Sequence, residues 1–227
     1  MTAAGLIFSN IHDSALPELT RRRTIASVPF GCRYRLVDFA LSNMVNSGIT
    51  NVGVIAHYNY QSLLDHIGTG KDWDLARRSG GIKILPPNIT AYDNASTGQL
   101  YATRLEAMLG AKEFINRCTE DYFVLSDCDV ICNMDFNAMI RYHIESGADC
   151  TIATKQAYLV TKSGTSNNVA LSYDENCDVT DIYEHNSVNP CYCNVNLNMY
   201  VMNRKYLEEI TLAASAHGYK SFTKDVL

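Results

Sequence analysis

The sequence is poor in basic residues and has no long hydrophobic run. Lysine and arginine number 19 against 24 aspartates and glutamates, which leaves a formal net charge of -5. Because phosphate backbones attract basic surfaces, this balance argues against nucleic acid as the main partner. No apolar run approaches the ~20 residues that cross a bilayer, so no membrane-spanning helix is expected. The one dense basic cluster, residues 21–23, is more typical of a solvated turn than of a binding site.

The N-terminus lacks the basic segment and long apolar stretch of a signal peptide, so it is predicted to begin with a strand. Eight cysteines without such a signal indicate reduced thiols in a cytoplasmic protein. No C-x-x-C pair is present, because Cys128 and Cys132 are four positions apart and Cys191 and Cys193 are two apart. Buried core thiols are therefore favoured over a zinc site, although a metal- or redox-responsive module using these four cysteines stays an alternative.

Apolar runs broken by glycine and proline predict an alternation of strands and helices. Residues 4–8 form a first strand, Asp38 caps a helix that Gly48 ends in a left-handed conformation, and residues 52–56 form a second strand. Such a β-α-β unit favours a parallel sheet. With 47% hydrophobic and 19% charged residues, the 227-residue chain can bury a sizeable core.

Later segments continue the alternation. A long helix is predicted after Gly98, and another after the acidic loop that follows Leu125. His143 on the second helix is more typical of a core histidine than of a ligand. From about Tyr158 the sequence becomes rich in Gly, Ser and Asn, and short alternating runs predict added strands of the same domain. The apolar faces of the two helices are Leu105, Met108, Ala111 and Ile115, and Phe136, Met139, Ile140, His143 and Ile144. The remaining predicted elements are strands at 82–85, 122–126, 149–155, 169–173, 179–184 and 195–202, and a helix at 60–67.

Two predicted loops follow the carboxyl ends of strands, where ligands bind in open α/β sheets. The first follows Phe8, and the second carries Asp127 and Asp129 after Leu125. A carboxylate at a strand end can hold Mg²⁺ against a phosphorylated substrate. The same pattern also fits a plain helix-entry loop in which Asp129 or Asn133 accepts from free helix amides. The residues themselves leave both interpretations open.

One segment carries a specific resemblance. Residues 29–54, PFGCRYRLVDFALSNMVNSGITNVGV, resemble the F-G-G-K-Y-R-I-I-D-F-x-L-S-N-x-x-N-S-G-I block of bacterial ADP-glucose pyrophosphorylases. The resemblance implies an α/β, Rossmann-like fold, with a mixed, mainly parallel sheet and helices on both faces, as in sugar-nucleotide pyrophosphorylases. It also implies one nucleotidyltransferase-like domain over residues 1–227, truncated at its C-terminus and without the family's left-handed β-helix. Further matches in family order are residues 70–74, Tyr101 with residues 105–107, and residues 125–136, 198–203 and 222–226.

In that family the reaction is adenylyl transfer from ATP to glucose 1-phosphate, which gives ADP-glucose and pyrophosphate. The resemblance implies three catalytic parts: a glycine-rich loop with an arginine after the first strand, a lysine ten residues later, and an aspartate that holds Mg²⁺. Here Ala15 stands at the arginine position, Ile25 at the lysine position and Asp129 at the metal aspartate. Asp13 places negative charge where the phosphates would lie. The nucleotide-loop position is occupied by Ser9, Asn10, Ile11, His12 and Asp13, without a glycine.

The runs SNIHD, LPELT, DWDLARR and LSDCDV resemble the D-type subunit of glycogen-storing bacteria, which pairs with a catalytic C-type subunit. Because each lost charge stabiliser costs ~10²–10³ in rate, the subunit is expected to be catalytically impaired. The resemblance implies a regulatory role in glycogen biosynthesis. The implied partners are the catalytic subunit and, as ligands, ATP or ADP-glucose and sugar phosphates. Arg33 matches a family position linked to effector response, although a plain surface arginine beside Asp38 fits equally. The alternative is an active sugar-1-phosphate nucleotidyltransferase that recruits Arg21, Arg22 or Lys71 to its phosphates.

Overall fold

The computed structural model describes residues 2–56, 58–86, 103–159, 169–184 and 191–227. Within these ranges the strands are β1 (Ala3–Phe8), β2 (Pro29–Phe30), β3 (Tyr34–Arg35), β4 (Asn51–Ile55), β5 (Gly81–Leu85), β6 (Tyr122–Asp127), β7 (Cys150–Leu159), β8 (Val169–Tyr173), β9 (Val179–Glu184) and β10 (Cys191–Asn203). The α-helices are α1 (Pro17–Thr20), α2 (Leu36–Asn46), α3 (Gln61–Ile67), α4 (Arg104–Gly110), α5 (Lys112–Arg117), α6 (Phe136–Ser146), α7 (Arg204–His217) and α8 (Phe222–Asp225). Short 3-10 turns lie at Asp13–Ala15, Ile25–Ser27 and Lys71–Trp73.

Eight of these strands form one sheet in the order β5-β4-β1-β6-β10-β8-β9, and β7 pairs with β10 beside this path. The pairs β5–β4, β4–β1 and β1–β6 are parallel, whereas β10 runs antiparallel to β6. β2 and β3 make a separate hairpin. Because β4 lies on one side of β1 and β6 on the other, the strand order reverses at β1. The crevice beyond the carboxyl ends of β1 and β6 is therefore the expected ligand position.

Side chains of β1 alternate between two buried clusters, one on each face of the sheet. Ile7 joins the cluster that includes Val37 of α2 and Phe136 of α6. Leu6 and Phe8 join the opposite cluster, to which α4, α5 and α7 contribute. Burial on both faces is typical of parallel strands covered by helices. The predicted fold class, a mixed and mainly parallel sheet with helices on both faces, is confirmed.

Helix α2 begins earlier than the sequence predicts. Asp38 lies at the third helical position, where its Oδ2 accepts from the backbone N–H of Arg35 at 3.0 Å. The prediction that Asp38 is the N-terminal cap is therefore wrong, because this carboxylate reaches back to the true cap position from inside the first turn. The end of the helix is as predicted: Gly48 adopts a φ of 75°, and its N–H donates to the Val45 carbonyl at 2.9 Å.

The single long helix predicted after Gly98 is two helices in the described residues. α4 and α5 are separated at Ala111, whose φ of -91° and ψ of 3° leave the helical range. Gly110, just before the break, has a low helix propensity. The predicted apolar face is nonetheless buried at Leu105, Met108, Ala111 and Ile115. The spacing of apolar residues thus predicts the buried face but not the break, and Gly98 itself lies outside the described residues.

His143 of α6 is a core residue, as predicted. Its side chain is almost fully buried, Nδ1 shares a hydrogen bond with Thr151 Oγ1 at 2.8 Å, and its ring meets Tyr122 edge-on. Burial lowers the pKa of His143, which keeps the ring neutral more readily than an exposed histidine. It therefore serves packing between α6 and the sheet.

The late strands extend the same sheet, as predicted for added β structure. β10 pairs with β6, β7 and β8, and β8 in turn pairs with β9. The side chains Asn196 and Asn198 of β10 are thereby brought next to the carboxyl ends of β1 and β6. No helix in the described ranges combines the length and hydrophobicity needed to cross a membrane.

Candidate functional site

The two predicted strand-end loops meet at one place. Phe8 and Asp127 are direct neighbours across the parallel pair β1–β6, so the residues that follow them leave the sheet side by side. A cleft of about 890 Å³ opens there. Its walls combine the loop after β1, the start of α4, Asp129 after β6, and Asn196 and Asn198 of β10. This is the crevice in which the strand order places a ligand.

Hydrogen bonds and packing fix the first residues of the loop after β1. Ser9 is buried, its Oγ donates to the Ile55 carbonyl at 2.6 Å, and its own carbonyl accepts from the Ala26 N–H at 3.2 Å. Ile11 packs against the hydrophobic cluster that contains Phe8. Asn10 lies between them, with its Oδ1 buried and without a hydrogen-bond partner in the described residues. The loop therefore starts as a packed connection, not as an open cradle.

Backbone amides of the loop are used within the loop itself. The Asp13 N–H donates to the Asn10 carbonyl at 3.2 Å, and the Ala15 N–H donates to the His12 carbonyl at 3.0 Å. The Leu16 N–H donates to the Asp13 carbonyl at 3.4 Å. A phosphate cradle needs such amides to point towards the anion. In this conformation three donors of the loop are not available to a phosphate.

The Asp13 carboxylate is turned onto the backbone. Its Oδ1 accepts from the Ile25 N–H at 2.7 Å, and Thr20 Oγ1 donates to the Asp13 carbonyl at 2.7 Å. Burial raises the pKa of Asp13 from 3.8 to about 6, although the Ile25 hydrogen bond acts in the opposite direction. Ile25 is buried in the core, and Ala15 is exposed at the cleft. Neither of these positions presents a cation to the cleft.

We expect Asp13→Asn to raise the free energy of unfolding at pH 7.5 by about 1 kcal/mol, a value discounted because this carboxyl is partly exposed. Because the folded-state pKa of about 6 lies above the ordinary 3.8, ionisation of Asp13 costs stability as pH rises from about 4 to 6. Asparagine keeps the acceptor for Ile25 and cannot ionise. Urea denaturation should show the gain at pH 7.5 and little gain near pH 4. Asp72→Asn, on an exposed aspartate, is the control; destabilisation by Asp13→Asn at pH 7.5 would contradict the expectation.

Asp127 is the centre of a buried ion cluster. It ends β6 with its side chain 2% exposed. Its Oδ2 accepts two hydrogen bonds, from Arg104 Nη2 at 2.5 Å and from His12 Nε2 at 2.9 Å. His12 Nε2 also lies 3.8 Å from Asp129 Oδ2. The loop after β1, the loop after β6 and the first turn of α4 thus meet in a group of two carboxylates and two basic side chains, which we call the Asp127 cluster.

Burial and ion pairing compete in the Asp127 cluster. Burial opposes the charge of Asp127, but Arg104 and the His12 hydrogen bond outweigh it and lower the pKa of Asp127. Burial likewise opposes the charge of His12, yet the hydrogen bond to Asp127 raises the pKa of His12. Burial and the neighbouring Asp127 charge together raise the pKa of Asp129. Asp127 is therefore the anion on which both basic groups act.

His12, Asp127 and Asp129 form a group with metal-ligand spacing, since one ligand atom from each lies within 4.8 Å of the others. Oδ1 of Asp127 and Oδ1 of Asp129 are buried and accept no hydrogen bond from the described residues. However, Oδ2 of Asp127 is filled by two donors. Mg²⁺ demands near-octahedral oxygen ligands, so an imidazole and a carboxylate already paired with arginine are a poor set for it. The residues present do not fit a resident Mg²⁺.

The entry to α6 does not use the predicted capping residues. Asp135 caps this helix, because its Oδ1 accepts from the Asn137 N–H at 2.9 Å. The interpretation that Asp129 or Asn133 satisfies the free helix amides is therefore wrong. Asp129 lines the cleft instead. The acidic loop after β6 thus belongs to the site.

Arg104 is the site residue that sequence reasoning misses. It begins α4, is 8% exposed, and its guanidinium carbon lies 5.6, 5.4 and 5.8 Å from the ring centres of Phe8, Tyr200 and Phe222. Those distances are typical of cation–π contacts. The available signal is a charged residue at the start of a strongly apolar helix face. Its partner Asp127 is 23 positions away, so only the position of α4 against β6 identifies the pair.

Arg33, the predicted effector residue, is exposed in the hairpin between β2 and β3. The alternative that it lies beside Asp38 is not supported, because Asp38 pairs with His66 at 2.6 Å and accepts from the Arg35 N–H. Its exposure leaves it accessible to an anionic ligand or a partner. An effector role for Arg33 stays a prediction.

Arg21, Arg22 and Lys71, the residues that an active enzyme would recruit, are exposed but do not line the cleft. None of the eight cysteines forms a disulfide. Among the described residues, no group with metal-ligand spacing contains a cysteine. Cys128, one of the four thiols of the metal- or redox-responsive alternative, is buried in the core. Neither the recruited-arginine alternative nor the thiol alternative finds support in the geometry of the cleft.

Comparison with known proteins identifies the family. The model of the nucleotidyl transferase family matches residues 14–227. The chain belongs to this nucleotidyl transferase family. The solved structure of HddC from Yersinia pseudotuberculosis superposes with a TM-score of 0.71 at 15% identity, covering 100% of this chain and 85% of that one. At such low identity the likeness shows the shared fold alone.

Curated relatives of this chain confirm the resemblance to bacterial ADP-glucose pyrophosphorylases. Glucose-1-phosphate adenylyltransferase of Clostridium perfringens (strain SM101 / Type A) is 34% identical over 227 residues, or 98% of this chain and 56% of that protein. The glycogen biosynthesis protein GlgD of Bacillus subtilis (strain 168) is 29% identical over 224 residues, or 98% of this chain and 52% of that protein. GlgD of Geobacillus stearothermophilus is 39% identical over 148 residues, or 65% of this chain and 42% of that protein. The chain spans about half the length of the curated relatives it matches.

Proposed function

We propose that this chain belongs to a glucose-1-phosphate adenylyltransferase-type subunit of glycogen biosynthesis that is regulatory and catalytically impaired. In this proposal it acts in the cytoplasm with a catalytic subunit, which makes ADP-glucose from ATP and glucose 1-phosphate. The GlgD and adenylyltransferase relatives support the pathway. The single observation that carries the impairment is the loop after β1, whose amides donate to its own carbonyls.

The charges of the cleft support the same proposal. Arg104 is the only lysine or arginine among the described residues that line the cleft, and it is ion-paired with Asp127. Among these described residues, no lysine or arginine without an ion-pair partner therefore faces a triphosphate. Adenylyl transfer depends on positioning the phosphates and neutralising their charge. Because each missing stabiliser costs ~10²–10³ in rate, the loss at Ala15 and Ile25 together amounts to ~10⁴–10⁶.

An activity measurement tests the catalytic half of this proposal. The complete gene product, purified alone, should form ADP-glucose at least about 10⁴-fold more slowly than a catalytic glucose-1-phosphate adenylyltransferase of the same organism, because two charge stabilisers are absent. Pyrophosphate release from ATP and glucose 1-phosphate gives the rate. The catalytic subunit at equal concentration is the control. A rate within tenfold of that control would overturn the proposal.

The regulatory half is tested by mixing the two proteins. Co-purification should yield a complex, and the complex should differ from the catalytic subunit alone in its rate or in its response to effectors. Arg33→Ala, on an exposed residue away from the cleft, should reduce that change in the response to effectors. Failure to co-purify, together with an unchanged rate, would remove the partner from the proposal while leaving the impairment intact.

A further inference from the structure

The Asp127 cluster already contains its own cations. Arg104 and His12 donate to the same oxygen, Oδ2 of Asp127, at 2.5 and 2.9 Å. Two carboxylates, those of Asp127 and Asp129, therefore face one permanent and one conditional positive charge. A divalent cation at this point would add two charges to a buried group that already pairs its main anion. Burying charge without a compensating partner is strongly unfavourable.

The Arg104 side chain is fixed in place and cannot be displaced by a metal ion. Its side chain is 8% exposed and lies among the rings of Phe8, Tyr200 and Phe222. An arginine side chain does not lose its charge at any pH a folded protein meets. The residue also belongs to the first turn of α4, which the Thr103 capping box begins. Both the charge and the place of the guanidinium are thus set by the fold.

The orphaned carboxylate oxygens show where a cation would otherwise bind. Oδ1 of Asp127 and Oδ1 of Asp129 are buried without a hydrogen-bond partner in the described part of the chain. Each of the two residues also offers one carboxylate oxygen to a group with the His12 ring, and the ligand atoms of that group lie within 4.8 Å of one another. The donors for a divalent site are therefore nearly assembled, and the added feature is the guanidinium on Asp127. Without that guanidinium, two carboxylates would face the imidazole of His12 alone.

We propose that Arg104 is the resident cation of the Asp127 cluster and that its guanidinium excludes divalent cations from the cleft. The inference goes beyond the regulatory role, because it concerns cation binding and not catalysis. It holds or fails whether or not the complete protein makes ADP-glucose, so the two proposals can be overturned separately.

Binding of Mn²⁺, followed by its electron paramagnetic resonance signal, tests the inference. The wild-type protein should show no saturable site tighter than about 1 mM, the weak end of the range for oxygen-ligand sites in proteins. Arg104→Gln should gain one site at least about tenfold tighter, because a unit charge at contact distance is removed from two carboxylates. Adding Asp129→Asn to Arg104→Gln should abolish the gained site. No substrate turnover enters this measurement.

Arg117→Gln is the matched control, because Arg117 makes an exposed ion pair with Glu113 and the same substitution changes the net charge equally. It should gain no Mn²⁺ site. Circular dichroism establishes that each variant is folded; should Arg104→Gln fail to fold, Arg104→Met keeps contact with the aromatic rings and gives the same comparison. A saturable wild-type site that Asp129→Asn removes would overturn the proposal. A folded Arg104 variant that gains no site would equally overturn it.

Discussion

Asp127→Ala should lower the free energy of unfolding by about 3–5 kcal/mol, because it leaves the Arg104 guanidinium buried without a carboxylate. Asp127 is 2% exposed, and Arg104 and His12 both donate to its Oδ2. His12 is partly exposed and can turn to water, whereas Arg104 is held among aromatic rings. Urea denaturation at neutral pH and fixed salt measures the loss, with the slope checked for unchanged two-state behaviour.

Asp74→Ala is the matched control for this prediction. The Asp74–Arg77 ion pair lies on the surface, with Asp74 84% exposed, and such pairs contribute about 0–1 kcal/mol. A second comparison removes both buried charges: Arg104→Met combined with Asp127→Leu should recover most of the loss, because no unpaired charge remains. If Asp127→Ala costs no more than Asp74→Ala, the cluster is solvated and the assignment of Arg104 as its resident cation is undermined.

The parallel strands at the centre of the sheet could be predicted because the residues that indicate them are close together in the sequence. β1 is a short apolar run, and Gly48 marks the end of α2 before β4. The start of α2 could not be predicted from such signals, because Asp38 fits a cap position as well as the third helical position that it occupies. The break between α4 and α5 at Ala111 could not be predicted either, because the spacing of apolar residues continues through it.

The Asp127 cluster could be predicted only in part, because its members are far apart in sequence. His12 and Asp127 are 115 positions apart, and no residue pattern links them. The parallel register of Phe8 against Asp127 is what brings the two loops together. The sequence shows that the loop after β1 contains no glycine. It does not show that the amides of this loop donate to carbonyls of the same loop. Asp13 shows the difference. Its charge predicts repulsion of phosphate, whereas in the structure its carboxylate accepts a hydrogen bond from the Ile25 N–H.

Gly81→Ala should destabilise the fold by about 2–5 kcal/mol, the sum of a left-handed backbone penalty and a steric clash. Gly81 begins β5 with a φ of 78°, and a β-carbon there would lie 2.5 Å from the Leu75 carbonyl oxygen. That carbonyl accepts from the Ile82 N–H at 3.1 Å, while the Gly81 N–H donates to the Thr50 carbonyl at 2.7 Å. The backbone on both sides is therefore held, and the clash has no flexible side chain to absorb it.

Gly48→Ala separates the two contributions, because Gly48 has nearly the same φ of 75° but no atom within 4 Å of the added carbon. It should cost about 1–2 kcal/mol, the backbone penalty alone. Urea denaturation of both variants then gives the cost of the clash as their difference. Equal losses would mean that the start of β5 shifts freely. In that case β5 could move without disturbing β4. The pairing of β4, β1 and β6 alone would then position the strand ends that form the crevice.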